Sequence, residues 1–469
     1  MLVHPISINH QVNMRFLRVV PALPLATAFV ITEPEVFSNI NIEKSGKSLV
    51  DNAHTVLDNA QNVIDDAFSK IKDSAKDVYS KIHHAGADVE SWLEGSQFDD
   101  SVVDFESPEH PPHDGPPHHG GPHHPPHDQK PNRTVYELIN ESKYTTKLAK
   151  WINEFDDIVE ALNSTKANYT VFAPTDEAFE KIPEHHHKPS KEVLKDILLY
   201  HVTDDLYPAG RVLHTYTIPT LYTPSKNLGH PQRLTVRVTL KGPAINFYSR
   251  LVAVNIFGTN GVVHGVDSIL VPPPNVASII DLLPGEFSTL ELGLTKTGIY
   301  EKMNSTEYEH NGGTFFAPSN FAFQKLGARA NAFLFSKYGE KYLKALLEYH
   351  IVVDQTLYTD AFYDGRKDDK ETVEERPGGY HYDLPTALCH KNLAVDVGRY
   401  GPFVEIRING FSRVTVHDGV ASDGVIQVVS NVLIPPKTSG GEQSFWKGEE
   451  LDVEDLKERL QPLVENMEL

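Results

Sequence analysis

Apolar residues recur every three or four positions over residues 48–93, a spacing that predicts an amphipathic helix. The stripe runs from Val50 to Trp92 and shifts once, between Ile64 and Phe68. Three interpretations stay open: a coiled coil that oligomerises the protein, a helix on a lipid surface, and a helix or hairpin that folds onto a neighbouring part of the chain. The alanine-rich seam, which packs weakly, favours the third.

A strand pattern that runs directly into a helix start occurs twice, at residues 169–179 and 313–323. The β-branched and aromatic run from Thr170 to Phe172 is typical of a buried strand. Proline then ends the strand, because it has no N–H for the ladder, and a hydroxyl residue follows where a helix N-cap is expected. The junction residues are Pro174 and Thr175 in the first copy, and Pro318 and Ser319 in the second.

Two further stretches recur in the same order. A Tyr-His pair near the end of an apolar-periodic helix occurs as Tyr200-His201 and again as Tyr349-His350. A Gly-Val strand motif that ends in two prolines occurs over 261–273 and again over 424–436. Three motifs in one order, present twice, indicate two copies of one domain.

This ordered set resembles the fasciclin (FAS1) domain family over residues 131–274 and 275–436. In the second copy, Asp423-Gly424 replaces the family's Asn-Gly, and Gln427 replaces its histidine. The resemblance implies an extracellular or secretory-compartment module used in adhesion and matrix interaction. It implies structural roles for these motif residues: Pro174, Thr175, Tyr200, His201, His264, Pro318, Ser319, Tyr349 and His350.

The resemblance also directs attention to a recognition position. Animal members of the family have an Asp-Ile pair linked to integrin binding just before the last motif. Asn255-Ile256 stands at that place in the first copy, so the acid is missing there. We therefore expect a more general adhesion role.

Helical patterns precede strand patterns in each copy, which predicts an α+β fold with a mainly antiparallel sheet. Helices are expected at 134–142 and 144–152, and another begins with Ser190 as its N-cap. The predicted organisation is a signal peptide at 14–31, the amphipathic helical segment at 48–93, a His/Pro/Gly-rich linker at 107–131, FAS1 domain 1 at 132–274, FAS1 domain 2 at 275–436, and an acidic helical tail at 437–469.

The amino-terminal pattern predicts entry into the secretory pathway. Arg15 and Arg18 precede an apolar stretch, and Ala26-Thr27-Ala28 is a small-residue cleavage pattern. Met14 is an alternative start, and an uncleaved hydrophobic arm is the alternative interpretation. The final compartment is expected to be extracellular or the cell surface, with the vacuole lumen as the alternative.

Charge and cysteine content narrow the class of protein. The formal net charge of −21 argues against nucleic-acid partners. The single cysteine, Cys389, excludes an intramolecular disulfide and is expected to be buried. Asn-x-Ser/Thr sequons are expected to carry glycans on surface loops, at Asn132, Asn140, Asn163, Asn168 and Asn304.

The linker at 107–131 is rich in histidine, proline and glycine, and it is expected to be an extended spacer. The alternative is a metal-binding tract with poor selectivity between Zn²⁺ and Cu²⁺. Its candidate ligands are His110, His113, His118, His119, His123, His124 and His127. The tract has no fixed ligand spacing, and no cofactor is expected.

No catalytic motif stands out, so we expect a non-enzymatic adhesion or interaction protein. Its expected partners are protein or glycan ligands at a cell surface, matrix or lumenal membrane, with self-association through 48–93 as an option. The alternatives are a lumenal metal- or ligand-binding protein and, more weakly, a hydrolase or lyase that uses His264. Recognition is expected in the loops that differ between the copies: 183–189, 223–232, 327–340 and 363–383.

Overall fold

The computed structural model describes residues 89–94, 131–182, 189–239, 242–305, 308–366, 373–374, 378–388, 391–400, 403–439, 442–446, 448 and 451–467. The predicted signal peptide, the His-rich linker, Cys389 and most of 48–93 lie outside these ranges. All described residues belong to one unit, residues 45–469. We call the two copies within it domain 1 and domain 2.

Domain 1 begins with helices and ends with strands, as the pattern predicted. Its helices are α1 (Val89–Glu94), α2 (Val135–Glu141), α3 (Thr146–Ile152), α4 (Asp156–Asn163), α5 (Asp176–Glu180), α6 (Lys191–Tyr200) and α7 (Ala209–His214). Its strands are β1 (Tyr169–Pro174), β2 (Val202–Thr203), β3 (Thr217–Pro219), β4 (Arg233–Thr239), β5 (Gly242–Ile245), β6 (Ser249–Gly258) and β7 (Gly261–Val266).

Domain 2 repeats this order with additions. Its helices are α8 (Val276–Leu282), α9 (Pro284–Lys296), α10 (Ile299–Met303), α11 (Asn320–Lys325), α12 (Ala328–Leu334), α13 (Glu340–Glu348) and α14 (Val453–Met467). Its strands are β8 (Gly313–Pro318), β9 (Ile351–Val353), β10 (Gln355–Leu357), β11 (Ala361–Asp364), β12 (Val373–Glu374), β13 (Gly378–Pro385), β14 (Asn392–Tyr400), β15 (Phe403–Ile408), β16 (Ser412–Ala421), β17 (Gly424–Val429), β18 (Lys437–Ser439) and β19 (Glu442–Ser444).

Each domain is α+β and contains a seven-stranded, mainly antiparallel sheet. The strand order is β2-β1-β7-β6-β5-β4-β3 in domain 1 and β13-β14-β15-β16-β17-β8-β9 in domain 2. The two repeated strand motifs pair in parallel, β1 with β7 and β8 with β17. The sequence motifs therefore mark the parallel strand pair inside each sheet.

Strand β1 is buried on both faces, which explains its continuous apolar run. Val171 and Ala173 pack with the helices, while Phe172 packs into a second core cluster with Tyr200 and Leu234. Pro174 and Pro318 are the last residues of their strands. The proline that cannot continue the ladder ends the strand in both copies.

The helix-start predictions are confirmed at two of three positions. Ser190 Oγ accepts the N–H of Val193 at 3.3 Å, and Ser319 Oγ accepts the N–H of Ala322 at 3.2 Å. Thr175 occupies the N-cap position of α5, but its side chain makes no capping hydrogen bond. The prediction was wrong on that hydrogen bond.

Two predicted recognition loops are not free surface loops. Half of 327–340 forms helix α12. In 223–232, Leu228, His230 and Gln232 are buried. Within the predicted loop 363–383, residues 363–364, 373–374 and 378–383 belong to β11, β12 and β13.

The acidic tail is part of domain 2. Leu451, Leu456 and Leu460 are buried, as the apolar spacing indicates, and Val464 replaces the half-buried Leu463 as the last inward residue. Helix α14 packs against α12 and α13. Trp446, which precedes it, is also buried and stacks edge-on against Phe411.

Candidate functional site

The histidines of the two Tyr-His pairs are buried structural links. His201 Nδ1 donates to the carbonyl of Ile197 at 2.7 Å, and its Nε2 accepts the N–H of Leu270 at 2.9 Å. His350 makes the same pair of bonds in domain 2, to Leu346 at 2.8 Å and Leu433 at 2.9 Å. Desolvation lowers the pKa of both rings to about 4. Each neutral ring thus joins the end of a helix to the segment that directly follows β7 in domain 1 or β17 in domain 2.

His264 is also buried, which bears on the hydrolase alternative. Its Nε2 donates to the carbonyl of Tyr207 at 2.8 Å, and its Nδ1 accepts the N–H of Asn255 at 3.3 Å. Desolvation lowers its pKa to about 4. The ring is 0% exposed. Both nitrogens are engaged with main chain, so this histidine has no position from which to attack a substrate.

Gln427 makes the two equivalent hydrogen bonds in domain 2. Its Oε1 accepts the N–H of Asp418 at 3.1 Å, and its Nε2 donates to the carbonyl of Leu357 at 2.9 Å. A primary amide thus supplies one acceptor and one donor, like the neutral imidazole of His264. The departure from the family motif preserves the hydrogen-bond pattern.

The position linked to integrin binding is a bulge in both domains. Asn255 has a positive φ of 60°, and its Oδ1 accepts the N–H of Ala209. The equivalent residue of domain 2 is Asp418, with φ 55°. Its carboxylate accepts from the N–H and the hydroxyl of Thr359 and is 0% exposed. The acid exists in domain 2, but it is not on the surface.

A polar interface joins the two domains. The Asp360 carboxylate of domain 2 accepts the main-chain N–H groups of Tyr216 and Thr217 in domain 1, both at 2.8 Å, and also the Thr217 hydroxyl. The Arg233 guanidinium lies 3.9 Å from this carboxylate, and the two side chains are 7% and 8% exposed. Buried charges of this kind hold their geometry because each has several hydrogen-bond partners.

Aromatic rings extend the interface. His230 of domain 1 stacks on Tyr363 of domain 2, with ring centroids 3.8 Å apart and planes 10° apart. Arg233 also donates to the Tyr363 hydroxyl at 2.7 Å. The N–H of Gly312 donates to the carbonyl of Asn227 at 2.9 Å. The predicted recognition loop 223–232 therefore contacts domain 2.

Arg237 forms a second charged contact between the domains. Its guanidinium donates to the main-chain carbonyl of His417 in β16. It also lies 4.0 Å from the Asp418 carboxylate. The bulge of domain 2 is thus connected to β4 of domain 1.

Trp92, at the end of the predicted amphipathic segment, is part of the core of domain 1. It is 0% exposed, and its indole N–H donates to the carbonyl of Leu138 at 3.0 Å. The Ser142 hydroxyl donates to the Trp92 carbonyl at 2.7 Å. For these last residues, the structure supports the interpretation in which the segment folds onto a neighbour.

The five sequon asparagines are all solvent-exposed, although Asn140 and Asn163 lie in helices rather than loops. Asn163 and Asn304 occupy equivalent places, where each Oδ1 accepts from the N-cap side chain of α2 or α8, Thr134 or Asn275. Among the described residues, none of the five donates a hydrogen bond from Nδ2, the atom that carries an N-linked glycan.

Within the described residues, no group of three or more His, Cys, Asp or Glu side chains is arranged for a metal ion. The histidines proposed as ligands, from His110 to His127, lie outside the described residues. No described helix has the length and apolar character of a membrane span.

Comparison with known proteins gives two matches to one family model. The model, described as a fasciclin domain, matches residues 143–272 and 285–435. The aurofusarin biosynthesis cluster protein S of Gibberella zeae is 30% identical over 334 residues, which cover 67% of this chain and 80% of that protein.

Two animal relatives match at lower identity. Fasciclin-1 of Schistocerca americana is 24% identical over 59% of this chain and 41% of its own length. Human periostin is 26% identical over 58% of this chain and 29% of its own length. The chain thus spans less than half of each. A solved FAS1 domain pair from the insect cell adhesion molecule fasciclin I matches at 20% identity with a TM-score of 0.30, over 62% of this chain and 96% of that one.

Proposed function

Because this chain belongs to the fasciclin domain family, we propose that it is a non-enzymatic interaction protein of the secretory pathway. Its partners are protein or glycan ligands at a cell surface, in a matrix or at a lumenal membrane. The observation that carries this proposal is the interface between the domains, centred on Asp360 and Arg233. Two domains held in one arrangement can present a single composite surface to a partner.

The hydrogen bonding of the motif histidines supports a binding role. His201, His264 and His350 use both ring nitrogens on main-chain groups. Recognition is then left to segments outside the motifs. Of the four variable loops, 223–232 contacts domain 2 and 327–340 is mainly helical, so we assign recognition to 183–189 and 363–383.

Strand β13, which begins within the 363–383 insertion, forms a distinctive edge of domain 2. Strand β13 has eight residues, whereas β3, at the same edge of domain 1, has three. Residues along β13 alternate between half-buried and exposed positions. This edge carries Tyr380, His381 and Asp383, and a long edge strand is a common place for partner recognition.

The test replaces the part of the insertion that lies outside the described residues. Residues 367–372 are exchanged for Gly-Ser repeats of equal length, which keeps Tyr363 at the interface. Residues 183–188 are exchanged in a second variant. Binding of fluorescently labelled full-length protein to intact cells of the source organism is measured by flow cytometry. We expect the 367–372 exchange to weaken binding by about tenfold with unchanged thermal stability. Unchanged binding in both variants would contradict recognition by these loops.

Two copies should also act together. A chain of residues 89–467, which keeps Trp92 and helix α14, is expected to bind more strongly than 89–274 or 275–467, because linked weak sites raise avidity. The separated domains would expose Arg233 and Asp360, so their folding must be checked first. A reaction rate that survives purification and falls with a single histidine substitution would favour an enzyme instead.

A second candidate function is a non-catalytic part in a biosynthetic pathway. It is favoured by the 30% identity to the Gibberella zeae cluster protein, which extends over 80% of that protein. Deletion of the gene, followed by metabolite profiling of the culture, tests it. Loss of one product class with unchanged cell adhesion would favour this candidate over the first.

A further inference from the structure

Asn260 and Asp423 occupy equivalent positions, immediately before β7 and β17, but they are bonded differently. Asn260 Oδ1 accepts the N–H of Val135 at 2.8 Å, and its Nδ2 donates to the carbonyls of Leu162 and Ser164, both at 2.8 Å. This side chain ties the start of α2 to the end of α4.

Asp423 keeps only half of that arrangement. Its Oδ1 accepts the N–H of Val276 at 2.8 Å, which is the equivalent of the bond to Val135. An ionised carboxylate has no hydrogen to donate, so it cannot make the bonds to the end of α10. The two donor positions that Asn260 Nδ2 supplies in domain 1 have no counterpart on Asp423.

A cavity lies beside Asp423 in domain 2, where the chain is also longer. In domain 2, six residues (307–312) separate the sequon at Asn304 from β8. In domain 1, three residues (166–168) separate the equivalent sequon at Asn163 from β1. Tyr308 and His310 of this longer loop line the cavity together with Met303 and Phe315. The cavity volume is about 50 Å³, and the cavity opens to solvent.

Asp423 is the one carboxylate in a mostly apolar lining. Within the described part of the chain, no side chain donates a hydrogen bond to it. Burial raises the pKa of the Asp423 carboxyl, an effect that the Val276 N–H and the nearby His310 reduce. A partly desolvated carboxylate gains most from a cationic hydrogen-bond donor.

We propose that this cavity binds a small organic ammonium ion. Its N–H groups would contact Asp423 and its apolar part would pack against Met303 and Phe315. An ammonium group supplies a positive charge and up to three donors, which replaces what Nδ2 of Asn260 supplies in domain 1. A divalent metal ion fits less well, because it requires several oxygen or nitrogen ligands and the lining offers one carboxylate and one imidazole.

The test compares two probes of the same shape on the full-length protein. Benzylamine carries the ammonium group at neutral pH, whereas benzyl alcohol is its neutral counterpart. NMR titration at pH 7 should show saturable binding of benzylamine and at least about tenfold weaker binding of benzyl alcohol. Equal affinity for the two probes, or no saturable binding of benzylamine, would overturn the proposal without any variant.

Variants locate the site. Asp423→Asn places the residue of domain 1 into domain 2, and it is expected to weaken benzylamine binding by at least about tenfold. Asp204→Asn makes the same change of charge at an exposed position of domain 1 and should leave binding unchanged. If both variants weaken binding equally, the cause is the net charge of the protein, and the assigned cavity is wrong.

Discussion

Asp360 of domain 2 accepts a hydrogen bond from the main-chain N–H of Thr217 in domain 1, at 2.8 Å. Thr217 belongs to β3, the edge strand of the domain 1 sheet. Edge strands present unpaired N–H groups, and here a charged side chain of the other domain covers them. The interface therefore supplies the acceptor for two main-chain N–H groups at this edge of domain 1.

We predict that Asp360→Ala destabilises the protein. The substitution removes the acceptor for three donors and leaves Arg233 without its nearby carboxylate. Loss of one partner from a buried charged network costs about 3–5 kcal/mol. Asp360→Asn retains one acceptor oxygen and should cost less.

Chemical denaturation, followed by fluorescence, measures this effect. Asp383→Ala is the matched control, since its side chain is 67% exposed, and it should change the free energy of unfolding by less than about 0.5 kcal/mol. Equal effects of Asp360→Ala and Asp383→Ala would show that the interface contributes nothing to stability.

His264→Gln should make the protein less sensitive to acid. Desolvation lowers the pKa of His264 from 6.5 to about 4, so the folded state disfavours the protonated ring. Below pH 6.5 the unfolded chain binds a proton that the folded chain does not, and stability falls with pH until the folded pKa is reached. This group alone accounts for a loss of roughly 2 to 3 kcal/mol between pH 7.5 and 4.5.

The glutamine variant copies the arrangement of Gln427 in domain 2, which has no titrating ring. At pH 7.5 its stability should lie within about 2 kcal/mol of the unaltered chain. Its loss of stability between pH 7.5 and 4.5 should be smaller by roughly 2 to 3 kcal/mol. Denaturation curves at several pH values measure both, and an unchanged slope against pH would contradict the assigned ring state. His214→Gln, at an exposed position, serves as control.

Removal of Trp92 should weaken domain 1 rather than an independent N-terminal segment. Trp92→Ala vacates a fully buried site, at a cost of about 3–5 kcal/mol. Gly265→Val introduces the residue that stands at the equivalent position of domain 2, Val428. A Cβ at Gly265 would lie 3.0 Å from Trp92 Cζ3 and 3.0 Å from Ala253 Cβ, so it would displace the indole.

The double variant distinguishes this contact from two unrelated defects. If Gly265→Val acts by displacing Trp92, the two substitutions together should cost clearly less than the sum of their separate effects. Thermal unfolding of the two single variants and the double variant measures these losses of stability. Protease cleavage, expected first within 107–131, should leave the N-terminal fragment bound to domain 1 unless Trp92 is replaced. Full additivity and immediate release of the fragment would contradict this role for Trp92.

The repeated motifs predicted the centre of each domain because they are local. Pro174 ends β1 through its own missing N–H, and His201 points inward because the helical period places it beside Leu194 and Leu198. Helix α4 was missed, although Ile158 and Leu162 show the same spacing. Residues 327–340, which differ between the copies, were predicted to be a loop. In the structure, this part of domain 2 contains helix α12.

The interface could not be predicted, because it depends on distant residues. Asp360 and Thr217 are 143 positions apart, and an aspartate among polar neighbours has no pattern that indicates its partner. The burial of Trp92 depends on the absence of a side chain at Gly265. The equivalence of His264 and Gln427 could have been predicted from the sequence, because a primary amide offers one donor and one acceptor, as a neutral imidazole does.

N-linked glycans are expected on protein made in its own secretory pathway. All five sequon asparagines are exposed, so treatment with N-glycosidase should lower the mass of the protein. Thr165→Ala removes the sequon at Asn163 but keeps the Asn163 side chain, which accepts a hydrogen bond from Thr134 at 2.8 Å. This variant should therefore lose one glycan with unchanged stability. A protein of unmodified mass, with Met1 retained, would show that the signal interpretation is wrong.

Recognition by a composite surface predicts that binding depends on the interface even when both domains stay folded. Arg237→Gln and Asp360→Asn together remove the charged contacts between the domains while leaving the chain intact. A partner that touches both domains then finds its two contact regions at a variable spacing, which lowers the effective concentration of the second contact. We expect binding to intact cells to weaken by about tenfold at a temperature at which circular dichroism shows the double variant folded. Asp204→Asn, at an exposed position of domain 1 outside the assigned loops, should bind like the unaltered chain. If the double variant binds equally well, a single domain carries recognition, and the interface serves stability alone.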